Sequence, residues 1–220
     1  MGPWTSYDLA DLLMFAPETY YRLFARLNEA VWPLPIVMLA LGTLIPLLLR
    51  SSPPWPKRLA AALLAACWLW VAWAYHLQRY AVINWAAPWF AALFAAEALL
   101  LVWIGVIRGR LHGKAADPLT RRTGLALIGL GLAAYPFLNP LMDQSWSRAE
   151  IFGIAPDPTT ITTLGILLLA RTNVSWLLWT GPVIWCFISG LTLWALQAPH
   201  AFLPPLAALL AVAAALGGRH

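Results

Sequence analysis

The sharpest chemical signal in this sequence is a carboxylate inside a greasy stretch. Glu97 sits between Ala96 and Ala98, with Phe94, Leu100 and Leu101 on the neighbouring turns. A charged side chain at the centre of a bilayer costs about 2.5 kcal/mol or more. Glu97 is therefore expected either to carry a proton or to face the interior of a helix bundle with a partner. A neutral Glu97 could equally act as packing glue, bonded to a hydroxyl or carbonyl of another helix. A second cluster lies in Trp73-Ala-Tyr-His-Leu-Gln-Arg-Tyr-Ala-Val-Ile-Asn-Trp85. Helical spacing puts Trp73, His76, Arg79 and Tyr80 on one face, with Asn84 a turn further on. A histidine, a cation, a phenol and an amide on one face could bind an anion, relay a proton or ligate a metal. The competing reading is an interfacial belt, with Arg79 reaching for headgroups and Tyr80 and Trp85 at the water boundary.

A third cluster is the polar stretch from Asp143 to Thr160, which holds Arg148, Glu150 and Asp157. Asp157-Pro158 reads as an N-cap and first-position pair, so a helix is expected to start there. Its amides would suit an anion, and the short apolar helix behind it is like the half-helices of transporter sites. The alternative is a loop folded back over the bundle. No phosphate-binding loop, zinc-protease HExxH or hydrolase GxSxG motif is present. Of the four histidines, only His76 and His200 fall on the same side near the membrane. Two ligands are fewer than a structural zinc site uses, so neither a metal nor a cofactor is expected.

These residues need elements to hold them, and the composition says which kind. Of 220 residues, 61% are hydrophobic and only 10% charged; a soluble domain has roughly 25% charged. The mean hydropathy is +0.72. Lipid is the solvent that suits such a surface. Many of the 14 tryptophans, such as Trp32, Trp85, Trp89, Trp103 and Trp194, lie near the ends of apolar runs, where headgroups would be. The net charge of +5 fits basic anchoring loops, and no nucleic-acid partner is expected. Cys67 and Cys186 both fall within apolar runs, so no structural disulfide is expected. No cleavable signal pattern is seen at the N-terminus.

Residues 1–30 carry too many charges to span. Thr5 or Ser6 caps a predicted short helix with Leu9, Leu12 and Leu13 on one face. Pro17 opens a second, whose Tyr20, Leu23, Phe24 and Leu27 form a stripe. Both are expected to be interfacial. Residues 31–220 are expected to form an all-α transmembrane bundle. Its apolar runs are Val31–Leu49, Leu59–Leu77, Ala87–Ile107, Thr123–Leu141, Thr159–Ala170, Val174–Gln197 and Ala201–Gly217. A span takes about 20 residues. The fifth run falls short, and is expected to cross as a tilted or interrupted helix or to dip in and return. In the fourth, Gly124, Gly129, Gly131 and Ala133 thin one region, and Gly129 to Ala133 is a small-xxx-small pair; close helix packing is the expected reason.

Seven spans with the N-terminus outside place Arg50, Lys57, Arg58, Arg108, Arg110, Lys114, Arg121, Arg122, Arg171 and Arg219 in the cytoplasm, ten of the fourteen cations. Six spans would weaken this split to eight against six. The bias favours seven, with the C-terminus inside. The acids Asp8, Asp11, Glu18, Glu29, Asp143, Glu150 and Asp157 are then external, so a site is expected to open outward.

The stretches Phe15-Ala-Pro-Glu-Thr-Tyr-Tyr-Arg-Leu-Phe24, His76-Leu-Gln-Arg-Tyr-Ala-Val-Ile-Asn-Trp85 and Phe152-Gly-Ile-Ala-Pro-Asp-Pro-Thr159, with Thr163-Leu-Gly-Ile-Leu-Leu-Leu-Ala170 behind it, resemble a bacterial polytopic membrane family classed as a domain of unknown function. The resemblance covers nearly the whole chain. It implies a multi-pass protein of the bacterial inner membrane and supplies no mechanism. Some members carry a permease label, although this chain has too few spans for a major facilitator.

The expectation carried forward is a small-solute permease or membrane receptor subunit. Its candidate substrate-binding residues are His76, Arg79, Tyr80, Asn84, Glu97, Arg148, Glu150 and Asp157. An enzyme acting on a lipid or lipid-linked substrate is the first alternative, with His76 as base and Glu150 as partner. A structural subunit of a membrane complex is the second. Expected partners are the bilayer, a small solute, and a membrane protein or second copy of the chain.

Overall fold

The computed structural model describes residues 15–111, 117–142, 144–170 and 176–217. The first N-terminal helix, Asp8, Asp11, His112, Lys114, Asp143, Arg171, Arg219 and His220 lie outside the described residues. The chain is 80% helical, and no strand occurs among the described residues. Among the described residues eight helices follow one another. They are α1 (Pro17–Ala30), α2 (Leu34–Leu49), α3 (Pro54–Val82), α4 (Ala87–Ile107), α5 (Pro118–Leu141), α6 (Pro156–Leu169), α7 (Leu177–Ala195) and α8 (Leu203–Gly217).

Four of them, α3, α4, α5 and α7, are long and apolar enough to cross a bilayer, and α1 with α2 would make a fifth if taken as one bent span. Their outer faces carry Leu69, Leu99, Ile107, Leu141 and Leu191 exposed. A belt of that kind needs an apolar solvent.

Helix α1 follows its sequence pattern. Pro17 occupies the first turn, Tyr20, Leu23, Phe24 and Leu27 are buried, and Glu18, Arg22, Arg26 and Glu29 face outward. It meets α2 at 93°, so its apolar stripe lies across the end of the bundle. Tyr20 and Phe24 stack there on Tyr75 and Tyr80 of α3.

The fifth apolar run behaves differently from a lipid-facing helix. Thirteen of the fourteen residues of α6 are buried, and every residue from 149 to 168 is buried. A helix apolar on one side only cannot do this; α6 has Thr159, Thr160, Thr162 and Thr163 among its aliphatic residues. Three of these hydroxyls donate back along the chain, Thr159 to the Ala155 carbonyl at 2.6 Å, Thr160 to Asp157 at 2.9 Å and Thr163 to Thr159 at 2.7 Å. Their polar atoms are thereby satisfied without water.

Glycine lets α6 press against α5. A Cβ on Gly131 would collide with Thr162 Oγ1 and the Pro158 carbonyl, and one on Gly124 would sit 3.0 Å from the Gly165 carbonyl. The contacting glycines are thus Gly124 and Gly131, two turns apart. Gly129 of the expected small-residue pair faces open space. These pairings also set direction: Pro158 and Thr162 lie by Gly131, Leu168 by Gly124, so α6 runs antiparallel to α5. Further contacts sort the helix ends. Arg58 of α3 packs at Gly109 after α4, and Thr120 of α5 donates to the Ala214 carbonyl of α8 at 3.1 Å. The starts of α3 and α5 and the ends of α4 and α8 therefore share one end of the bundle.

Gly131→Ala should destabilise the chain by about 1–3 kcal/mol through overpacking, whereas Gly129→Ala should leave it unchanged or slightly stabler. Thermal unfolding in detergent followed by tryptophan fluorescence checks this contrast; equal effects at both positions would contradict the α5–α6 contact.

Candidate functional site

Asp157 lies in the first turn of α6, behind an N-cap at Ala155. It was expected to be the N-cap itself, on an outer loop. The two prolines, Pro156 and Pro158, pull the helix start back by two residues, which frees the carboxylate to point sideways into the bundle. It is fully buried and takes three donors. Trp185 Nε1 of α7 donates to Oδ1 at 2.7 Å, while Ser189 Oγ of α7 and Tyr135 Oη of α5 donate to Oδ2 at 2.6 and 3.1 Å. Tyr135 and Ser189 each lie six residues from the ends of their helices at Leu141 and Ala195, so the carboxylate sits about 9 Å inside.

The segment before α6 is buried without being helical. Non-helical backbone at this depth survives only when protein satisfies it, and here it does. Asn28 Nδ2 of α1 donates to the carbonyls of Ser147 and Ala149, both at 2.8 Å. Asn139 Nδ2 of α5 donates to the Arg148 carbonyl at 2.8 Å. Gly153, at φ +74°, donates its amide to Thr159 Oγ1 at 2.8 Å; a Cβ there would meet Met38 Sδ at 2.8 Å. Glu150, held in this segment, is buried and its Oε2 has no hydrogen-bond partner among the described residues. Burial first, and then the nearby charge of Asp157, push the Glu150 carboxyl well above its ordinary range.

His76 and Glu97 lie deeper. His76 falls in a π-helical stretch, Val71–Leu77. Its ring centroid is 4.6 Å from Phe94 and 4.9 Å from Trp185, and neither nitrogen has a partner among the described residues. Glu97 is midway along α4, about 15 Å from either end. It is buried against Gly181 of α7, where an added Cβ would lie 2.6 Å from Oε2. Both its oxygens also lack described partners. Phe94 and Glu97 are one turn apart on α4, as are Gly181 and Trp185 on α7. The ionisable groups thus descend from Glu150 and Asp157, past Trp185 and His76, to Glu97.

The remaining expected site residues fall elsewhere. The π-helical winding, marked by Gln78 donating to the carbonyl of Trp73 five residues back at 3.0 Å, turns Trp73 outward, away from His76. Tyr80 is buried in the aromatic stack under α1, and Arg79 is half-buried beside it. Asn84 accepts from the Ala86 amide at 2.9 Å and shapes the turn into α4. Arg148 pairs with Glu18 of α1 through both terminal nitrogens, one at 3.1 Å. That pair clasps α1 at the surface. Among the described residues no group of three metal-ligating side chains forms.

Sequence reasoning missed Tyr135, Trp185, Ser189, Asn28 and Asn139. Two of them carried a signal: Asn28 follows Phe24 by four residues on the apolar stripe of α1, and Asn139 follows Tyr135 at the same spacing on α5. A polar residue on an apolar face asks for a buried partner.

The architecture defines a class, a polytopic α-helical bundle of span-length apolar helices wrapped around a buried acidic segment and a short inner helix. The chain belongs to the DUF6064 family, a family of unknown function, whose model matches residues 17–219. No curated protein and no solved structure matches it.

Asp157→Asn should be tolerated, because the hydroxyls of Tyr135 and Ser189 can turn to accept from an amide while Trp185 still finds an oxygen. Asp157→Leu strands all three donors and should cost more than about 3 kcal/mol; thermal midpoints of the two variants test the order. Glu150 gives a signed pH dependence. Its raised carboxyl contributes stability that is complete below the usual glutamate range and is lost as pH rises through the raised value. Glu150→Gln should flatten that alkaline loss in a midpoint-against-pH curve, with Asp157, Tyr20, Tyr21, Tyr75 and Tyr135 as the other titratable groups around it.

Proposed function

We propose that this chain is a small-solute permease of the bacterial inner membrane, driven by protons or cations. The observation that carries the reading is the buried run of residues 149–168, non-helical and then helical, which holds Asp157 about 9 Å inside the bundle with Glu150 buried in the segment before it. Interrupted segments of this kind, with helix termini and freed backbone at membrane depth, are what transporter folds use to hold substrate and coupling ion. Ionisable side chains within spans mark ion and proton pathways, and His76 and Glu97 continue the series to mid-span.

In this reading the chain passes the membrane seven times. Helix α6 makes its pass inside the protein, which is why its sequence is short and threonine-rich. The basic ends of α3, α4 and α5 then face the cytoplasm, α1 lies on the outer surface, and the polar segment opens outward. The two alternatives find less support. The lipid enzyme needs an acid within reach of His76, and both its nitrogens are without described partners. The assembly subunit needs Glu97 turned to another chain, and it is buried against Gly181 of its own.

The test is uptake by proteoliposomes holding the full chain, with an imposed pH gradient and a panel of amino acids, sugars and organic acids, read by an internal pH dye. Uptake coupled to proton movement is expected, and Glu97→Gln should lower it at least about tenfold, or ~1.4 kcal/mol in barrier terms. Unchanged uptake and pH response in Glu97→Gln would sink the mechanism.

A further inference from the structure

Three buried oxygens from three parts of the chain lack partners around Glu150. They are Oε2 of Glu150 itself, Oδ1 of Asn28 from α1 and Oδ1 of Asn139 from α5. All three side chains are more than nine-tenths buried. The two amides are fixed on the peptide units just before Glu150. Asn28 Nδ2 is spent on the carbonyls of Ser147 and Ala149, and Asn139 Nδ2 on that of Arg148. With their nitrogens committed, only their oxygens remain to be satisfied. An unmet buried acceptor costs about 1–3 kcal/mol, more when charged, so three bordering one short segment are costly unless something donates to them or coordinates them. The nearest basic side chain in sequence, Arg148, is taken by Glu18 and Gln144 at the surface.

A groove of ≈ 500 Å³ opens at Asn28 and Ser147, at the edge of this place. Asn28 lies in its lining, with Glu29 and the exposed rings of Trp32 and Trp146 on its walls. A carboxylate and two indole faces at an entrance favour a cation over an anion.

We propose that Glu150, Asn28 and Asn139 form a binding site for a small alkali cation, sodium or potassium, with the groove between Trp32 and Trp146 opening at Asn28. The ligand atoms are hard oxygens, one charged and two neutral, which suits such an ion. Once it gives up the proton that burial holds on it, the Glu150 carboxylate balances one positive charge, so binding of the ion releases a proton. A divalent ion would leave an excess charge buried, and calcium sites typically gather more carboxylates than this. Asp157 does not supply a second, because Trp185, Ser189 and Tyr135 already occupy it. As the coupling-ion site this inference rests on the permease reading, but the ion's binding can be measured without any transport.

The experiment uses the full chain in nanodiscs. Thermal midpoints are compared in sodium, potassium and choline chloride at equal ionic strength, and retention of radioactive sodium is measured on the immobilised protein. An alkali cation at ten times its dissociation constant should raise the midpoint by about 3–6 °C over choline. Glu150→Gln should keep its midpoint in choline and lose the alkali increment. Should Glu150→Gln not fold, competition of unlabelled sodium or potassium against the labelled ion on the wild type still decides. Equal midpoints in all three salts with no sodium retained overturns the site. Ion binding without solute uptake would leave the site standing and remove the permease, whereas uptake indifferent to alkali ions would do the reverse.

Discussion

A carboxylate buried among apolar helices has to find its donors inside the protein, and Asp157 finds three. Two come from α7 and one from α5. This single requirement fixes a large part of the architecture. It draws the start of α6 inward, sets α5 and α7 on either side of it, and leaves the preceding segment no way to reach the surface except through the bundle. Glycines at 124, 131 and 165 then let α6 and α5 close to backbone contact. The order of cause runs from the charge to the packing: apolar burial would be served equally by many helix arrangements, while three donors aimed at two oxygens are served by very few.

The same accounting explains where polarity is spent and where it is left over. Along α6 the hydroxyls of Thr159, Thr160 and Thr163 bond to their own helix, and Trp68 Nε1 donates to Thr163 at 3.0 Å. Two asparagines hold the non-helical segment by its carbonyls. Among the described residues, buried polar atoms without a partner lie on Glu150, Asn28, Asn139, His76 and Glu97, and also on Trp70, Tyr75, Arg79, Thr162 and His200.

Helix α1 covers this polar region. Its buried stripe stacks on Tyr75 and Tyr80, and the Arg148–Glu18 pair ties it to the turn at Trp146. A surface ion pair is worth about 1 kcal/mol or less, so the aromatic contacts carry most of the attachment, and the ion pair chiefly sets its register. The groove between Trp32 and Trp146 runs along the end of the same helix.

The sequence alone determined that the chain is helical and carries apolar stretches long enough to span, where α1, α3, α4, α5 and α7 lie to within a few residues, and that Glu97 and Asp157 are out of the ordinary. Those facts follow from composition, periodicity and proline position, which act locally. It misplaced Glu150 and Asp157 on an outer loop, set Trp73 beside His76, and took Gly129 for a packing residue. Each of these depends on something a linear pattern does not hold: donors supplied from helices far along the chain, a π-helical stretch that shifts every later side chain around the axis, and a neighbour that presents its small residues to one face of α5 and not to the next. Tertiary structure decided them because a buried polar group is priced by its partners, and partners distant in sequence become neighbours only when the chain has folded.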